Sequence, residues 1–304
     1  MLFKVDDNWD GKLMREFLRI GCRISRNTLC ILKKCENGIL LNGKCVTVRA
    51  TVHTGDNVEL AIEDKVPDEN PNLYANGVMP EIIYEDEAIL VINKPAGMPT
   101  HTSLGHYDDA LSNAVYSYLK EQGEAFVFRA INRLDRDTSG VVLIAKNRYY
   151  ASILTNSLVN GKFTKKYLAV VEGMLQGNGS VQGYIAREQK SMIKRCFSNE
   201  KIEGGDYSLS NYEVIKVGEN ASLVLVTPVT GRTHQIRLHL ASLGHTIIGD
   251  DFYGKESVYI SRQALHAYSL TFPSPIDEHE ITVKAPLPDD IKELLNIYSI
   301  KFED

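Results

Sequence analysis

Asp135 lies between two arginines in the stretch Asn132-Arg133-Leu134-Asp135-Arg136-Asp137-Thr138-Ser139-Gly140, and the apolar run Val141-Val142-Leu143-Ile144 follows at once. A guanidinium beside a carboxylate favours its ionised form. An ionised carboxylate suits a nucleophile or an electrostatic stabiliser better than a general acid. Thr138-Ser139-Gly140 supplies a tight polar turn into the strand-like run. Alone, an R-x-D pattern is more often a charged surface loop than a reactive site.

A second polar concentration is Thr230-Gly231-Arg232-Thr233-His234-Gln235-Ile236-Arg237-Leu238-His239-Leu240. A glycine precedes a predicted helix whose start carries Arg232, His234 and Gln235, with Arg237 and His239 further along. Five polar or cationic groups that could converge on one anionic ligand are unusual beside Ile236, Leu238 and Leu240. Metal binding fits poorly, because His234 and His239 are five apart and lack the H-E-x-x-H glutamate. Downstream, Gly249-Asp250 and Tyr253-Gly254 form turns around a short loop, and Leu265-His266-Ala267 resumes periodic structure.

The elements that must hold these residues fall into two units. Between residues 11 and 50, nine Lys/Arg face two acids, a balance of +7 that leaves −12 for the remainder of a chain whose net charge is −5. A polyanion would therefore meet the N-terminal segment first, although a solvated basic face is the plainer alternative. Leu13, Phe17 and Leu18 recur at helical spacing, Ser25 reads as the N-cap of a second short helix, and Asn37-Gly38 stops it. Asn42-Gly43 then signals a type I′ hairpin between Ile39-Leu40-Leu41 and Cys45-Val46-Thr47-Val48, with a further strand over residues 57–62. Residues 63–80 hold three prolines among acids and asparagines; this reads as an extended linker that lets the basic unit move. In the second unit, 81–304, strands are predicted over 81–84, 88–92, 141–145, 167–171, 223–226 and 281–283, and helices over 110–121, 151–160 and 234–243. They do not alternate regularly and no G-x-x-x-x-G-K-[ST] occurs, so we expect α+β with a mixed, largely antiparallel sheet rather than a doubly wound nucleotide fold.

The 304 residues are 43% hydrophobic and 24% charged, ordinary soluble usage that excludes collagenous and low-complexity classes. No apolar run is long enough for a membrane span, and the acidic start is unlike a secretory signal, so a cytoplasmic protein without a membrane partner is expected. Cys22, Cys30, Cys35, Cys45 and Cys196 show no C-x-x-C spacing; small buried thiols are expected rather than a metal cluster.

Residues 11–60, with the Gly38-Ile39-Leu40-Leu41-Asn42-Gly43-Lys44 stretch and Thr54-Gly55-Asp56-Asn57-Val58, resemble the alpha-L (S4-like) RNA-binding domain. That resemblance implies RNA contacts at Arg23, Arg26, Lys33, Lys34 and Lys44. The second unit resembles the RluA family of pseudouridine synthases along nearly all of its length. The likeness rests on Asn93-Lys94-Pro95-Ala96-Gly97-Met98-Pro99-Thr100-His101, on Arg133-Leu134-Asp135 with Thr138-Ser139-Gly140, on Lys165-Lys166-Tyr167, on Gly231-Arg232-Thr233-His234-Gln235-Ile236-Arg237, on Gly249-Asp250 with Tyr253-Gly254, and on Leu265-His266-Ala267 before Lys284-Ala285-Pro286. It implies isomerisation of uridine in RNA, ribosomal RNA foremost and transfer RNA next, without metal or other cofactor. Within it Asp135 corresponds to the catalytic aspartate, Tyr167 to an active-site tyrosine packed against the base, Arg237 to an arginine paired with the aspartate, and Arg133 to the residue that helps extrude the base. Extrusion is a physical necessity, since a stacked uridine hides its glycosidic bond. Lys190, Lys194 and Arg195 are further RNA-contact candidates. Two other readings differ in class: a non-catalytic RNA-binding or ribosome-assembly factor on a silent synthase fold, and a hydrolase using Asp135 with a histidine such as His234. The second lacks a G-x-S-x-G elbow or a second committed carboxylate. Nothing in the chain demands a second copy, and a monomer is expected.

Overall fold

The computed structural model describes residues 1–62, 75–123, 127–189, 191 and 193–302. The linker expected at 63–80 therefore lies mostly outside the described residues, as does Lys190.

The N-terminal residues form a four-stranded sheet in the order β1-β4-β2-β3, from β1 (Leu2–Lys4), β2 (Ile39–Leu41), β3 (Lys44–Cys45) and β4 (Asn57–Leu60). Asn42 and Gly43 both have positive φ, 48° and 76°, the conformation a type I′ turn requires. The first helical segment is a single turn, α1 (Met14–Glu16), that widens into a π-helical turn over Phe17–Gly21. Helix α2 (Arg26–Leu32) follows, its cap Ser25 Oγ accepting from the Thr28 amide at 3.1 Å.

The rest of the chain builds one ten-stranded sheet. Its strands are β5 (Glu81–Glu85), β6 (Ile89–Lys94), β7 (Ser139–Ala145), β8 (Thr164–Glu172), β9 (Gly179–Arg187), β10 (Arg195–Ser198), β11 (Asp206–Val217), β12 (Ala221–Pro228), β13 (Leu265–Pro273) and β14 (Glu280–Lys284). The order is β10-β9-β11-β12-β8-β13-β7-β6-β5, with β14 paired to β13. Among the described residues β13 and β7 are parallel and the other pairs antiparallel, so the sheet is mixed and largely antiparallel.

β6 and β7 are apolar on both faces because both are covered. Leu90, Ile92, Val142 and Ile144 meet α3 (Leu111–Glu121), while Ile89, Val91, Val141 and Leu143 meet α4 (Arg148–Val159). A further core joins β8 and β12 to α5 (Gln235–Ser242) and α6 (Asp289–Ile297).

Two expectations need correction. The N-terminal unit packs against the second rather than standing apart from it: its core is continuous with the α4 side of the sheet, Phe3 packs edge-on to Tyr149 at 5.8 Å, and Arg23 is ion-paired with Glu278. Arg23 has a left-handed backbone, φ 56°, and its side chain meets the second unit. The cysteines are also not uniformly buried. Only Cys22 is, while Cys30 and Cys45 are exposed, because the short N-terminal elements have one face in water.

Candidate active site

A cavity of about 260 Å³ opens where β8 and the β7 entry flank β13, closed on the far side by the loop from β12 to α5. Its walls include Arg133, Asp135, Lys165, Tyr167, His234 and Arg237.

The backbone around Asp135 is held from four directions. Thr100 Oγ1 donates to the Leu134 carbonyl at 2.9 Å and accepts from the Leu134 amide at 3.2 Å. Lys94, with no exposed surface, donates from Nζ to the carbonyls of Pro95 (2.8 Å), Met98 (2.7 Å) and Arg136 (2.9 Å). Arg262 Nη1 donates to the Asp137 carbonyl at 3.1 Å, and the Gln263 amide donates to Thr138 Oγ1 at 3.1 Å. The segment 94–100 thus ties down both neighbours of Asp135. Three carbonyls match the three N–H groups of an ammonium. Burial nevertheless pulls the pKa of Lys94 down to about 7, against the carboxylates of Asp137 and Asp135.

Gly140 carries the chain out of this loop. At φ 115°, a Cβ there would sit 2.2 Å from the carbonyl oxygen of Ala267, its parallel partner on β13. Ala267 also pairs with Tyr167 on its other side. Alternation along β8 places Lys165 and Tyr167 on the same face, and both line the cavity. Burial, then the negative charge of Asp135, holds the Tyr167 hydroxyl above the usual phenol range. Burial lowers the Lys165 ammonium.

The structure brings Asp135, Tyr167 and Arg237 to one cavity and leaves the Asp135 side chain 27% exposed, open to a ligand. The expected arginine contacts are different. Arg237 makes a two-pronged pair with Asp250, Nε to Oδ2 at 2.7 Å and Nη2 to Oδ1 at 2.6 Å, and lies over the rings of Phe252 (5.0 Å) and Tyr253 (5.2 Å). Its closest partner is therefore Asp250 rather than Asp135, whose charge acts on it more weakly. Arg136 turns to Asp137, with both Nε and Nη2 at 3.0 Å from its oxygens. Arg133 is exposed at the cavity, where its charge, after burial, depresses His101. The group facing Asp135 is His234, with Nε2 at 3.9 Å from Oδ2.

The five polar groups of 232–239 do not converge on one ligand. Arg232 Nε donates to the Tyr207 carbonyl, Gln235 ties Thr230 to β11, and His239 Nε2 meets Ser208 Oγ at 3.0 Å. Helical geometry points successive side chains in different directions; His234 and Arg237 line the cavity with Asp135, and Arg232 and Gln235, which also border it, are held by other partners. Sequence reasoning gave no role to Lys94, Thr100, Asp250 or Tyr253; the only signal was their place in the blocks that carry the family likeness. Of the proposed RNA contacts, Arg26, Lys33, Lys34 and Lys44 are exposed, whereas Arg23 is engaged with Glu278. Among the described residues no group of His, Cys, Asp and Glu is arranged to hold a metal ion, and no helix is long and apolar enough to cross a membrane.

A family model described as RNA pseudouridylate synthase matches residues 88–242, a span that contains Asp135, Tyr167 and Arg237. The chain belongs to the RNA pseudouridine synthase family. Its relatives include the uncharacterized RNA pseudouridine synthase YjbO of Bacillus subtilis, 35% identical over 90% of this chain and 94% of that protein. Another is the ribosomal large subunit pseudouridine synthase D of Zymomonas mobilis, 34% identical over 72% of this chain and 73% of that one. The solved structure of human RNA pseudouridylate synthase domain containing 4 shares the synthase's fold, with a TM-score of 0.61 at 22% identity, covering 74% of this chain and 95% of that one. The synthase is thus an isomerase of uridine in RNA, of the RluA type.

Proposed function

We propose that the synthase acts on uridine in structured ribosomal RNA of the large subunit, with Asp135 as the residue that meets the sugar. The observation that carries this reading is the shared cavity: an accessible carboxylate on one wall, Tyr167 beside it, and a volume near 260 Å³. Drug-sized pockets span about 300–1,000 Å³, so this one suits a single extruded nucleoside rather than a stretch of RNA.

In the proposed reaction the N1–C1′ bond of uridine breaks while Asp135 attacks or stabilises C1′. The uracil then turns, C5 bonds to C1′, the C5 proton departs and N1 gains one. No atom is added and no electron is exchanged. Tyr167, kept protonated, offers a flat ring against the base, and Arg133 at the mouth is suited to fill the gap that the flipped nucleotide leaves. Arg237 works through Asp250, fixing the loop behind Asp135.

The N-terminal unit is read as an alpha-L RNA-binding domain whose exposed Arg26, Lys33, Lys34 and Lys44 track phosphates. Names among the relatives that specify the ribosomal large subunit support the choice of substrate. Mapping pseudouridine in ribosomal and transfer RNA from cells with and without the protein tests it. Sites lost from large-subunit RNA are expected; sites lost only from transfer RNA would overturn the assignment.

A further inference from the structure

Beyond the Asp250–Arg237 pair, two blocks of the sequence, Gly249-Asp250 with Tyr253-Gly254 and the histidine of Gly231-Arg232-Thr233-His234, have no part in the chemistry assigned above, yet the fold joins them behind Asp135. The Asp250 carboxylate that grips Arg237 also accepts the amides of Phe252 (3.0 Å) and Tyr253 (3.1 Å), so the loop is pinned. It delivers the Tyr253 hydroxyl to His234 Nδ1 at 2.8 Å. The same hydroxyl oxygen accepts the Arg195 amide at 2.9 Å. His234 itself is buried and caps α5 in a left-handed conformation, φ 58° and ψ 17°. Histidine enters this region more readily than most non-glycine residues. The rings of Phe252 and Tyr253 clamp the imidazole edge-on at 5.8 and 5.6 Å.

These contacts decide a tautomer. Among the described residues the acceptor within reach of the Tyr253 hydroxyl is His234 Nδ1, while the Arg195 amide can only donate to that oxygen; the hydroxyl proton therefore goes to Nδ1, which is the bare nitrogen. The neutral ring accordingly carries its proton on Nε2, the nitrogen that faces Asp135 Oδ2 at 3.9 Å. That separation is longer than a hydrogen bond, and such contacts tighten when substrate fills the site.

We propose that His234 is a positioning residue whose Nε2–H, set by the Tyr253 hydroxyl, orients the Asp135 carboxylate and occupies Oδ2, leaving Oδ1 for the sugar. The inference rests on the assignment of Asp135 above. Burial and the Arg237 and Arg195 guanidiniums keep His234 neutral, against Asp135 and Asp250, which act the other way. A protonated ring would donate from both nitrogens and reverse the Tyr253 contact, leaving the hydroxyl proton without its acceptor.

The test is long-range ¹H–¹⁵N NMR of the histidine rings in the whole protein, with His234 assigned by its loss in His234→Gln. The wild type is expected to show a protonated Nε2 and a bare Nδ1. Tyr253→Phe keeps the ring contacts but removes the hydroxyl; it should mix the tautomers and lower turnover at saturating RNA on the order of tenfold with KM nearly unchanged, a modest part of the 10²–10⁴ that positioned proton-handling groups supply. His234→Ala should lose on the order of a hundredfold by the same comparison, and His234→Gln, whose amide N–H reaches where Nε2 lies, should recover most of it. A proton on Nδ1 in the wild type, or unchanged turnover in Tyr253→Phe, would overturn the proposal. The tautomer is read in the unmodified protein, so it does not depend on any variant folding. If Asp135→Asn keeps its turnover, the assignment of Asp135 fails instead, whatever the tautomer.

Discussion

Replacing Lys94 by methionine separates what the buried ammonium does for stability from what it does for the site. Moving the pKa of a fully buried lysine from 10.5 to about 7 corresponds to a penalty on the order of 4 kcal/mol at neutral pH, at about 1.4 kcal/mol per unit. Methionine of similar length removes that penalty. It also strands the carbonyls of Pro95, Met98 and Arg136, whose bonds to a charged donor are worth about 1.5–3 kcal/mol each. Pro95 is exposed and Met98 partly so, and water can reach their oxygens once the loop relaxes. With water taking up two of the three carbonyls, the loss falls toward that of a single bond, and the net change should stay below about 3 kcal/mol, within the total of roughly 5–15 kcal/mol that keeps domains folded. The site fares worse, because the loop over Asp135 loses its tie to residues 94–98, and a displacement of about 1 Å at reacting groups costs on the order of a hundredfold in rate. Release of tritium from RNA carrying [5-³H]uridine reads turnover directly, since the C5 proton must leave. Urea melts read stability. The pH dependence has a definite sign. Between about 7 and 10.5 the unfolded chain holds more protons on Lys94 than the native one, so this group's contribution to wild-type stability rises with pH across that window. The variant has no such term and compares best with wild type below pH 7. Turnover within about threefold of wild type, far from the hundredfold expected of a displaced site, would refute the claim that Lys94 holds the Asp135 loop.

Other expectations follow from single contacts. Asp135→Asn should abolish tritium release while leaving RNA affinity within about twofold, because one charge in a pocket weighs little against several phosphate contacts; residual turnover above about one part in a thousand of wild type would argue against a covalent or ion-pairing role. Substituting Lys33, Lys34 and Lys44 together by glutamine should lower the slope of log affinity against log salt by about 2, given roughly 0.7 per phosphate contact on single-stranded segments, with turnover of bound RNA unchanged; an unaltered slope would show that this face does not meet RNA. Gly140→Ala forces a Cβ to within 2.2 Å of the Ala267 carbonyl at a φ of 115° and should cost more than about 3 kcal/mol in a urea melt, beyond the usual penalty for strained backbone.

What could be read in advance divides along a physical line. Residues 141–145 were legible because a strand covered on both faces is apolar throughout, and Ser25 and Asn42-Gly43 were legible because caps and tight turns are decided within a few residues. β11 was not: Asp206–Val217 has one face partly exposed, and its polar residues hide the alternation. β9 and β10 form the outer edge of the sheet, with similarly weak patterning. Helix α6, Asp289–Ile297, buries Ile291, Leu294 and Leu295 at i, i+3 and i+4, so its period was legible, and the expected elements omit it. In the site, Asp135 and Tyr167 stood out through residue type and block, and the fold places both on the cavity wall. The partner of Arg237 did not, since Asp250 lies 13 residues away in a loop, and only three-dimensional packing decides which of several carboxylates a guanidinium meets.

The packing of the N-terminal unit against the second bears on the proposed grip on RNA. With a flexible connection, the basic residues would raise the local concentration of RNA without fixing its orientation. The ion pair of Arg23 with Glu278, the Phe3–Tyr149 contact and the continuous core instead hold Arg26, Lys33, Lys34 and Lys44 at set distances from the cavity. Phosphate contacts carry no sequence information, but on a rigid frame they set register. If the basic face meets RNA as proposed, selection of one uridine would follow from the span between a backbone held there and a nucleotide unstacked at Asp135. Glu278→Ala tests that dependence: it removes no group from the cavity or from the exposed basic face, and a loosened frame would spread modification over neighbouring uridines rather than abolish it.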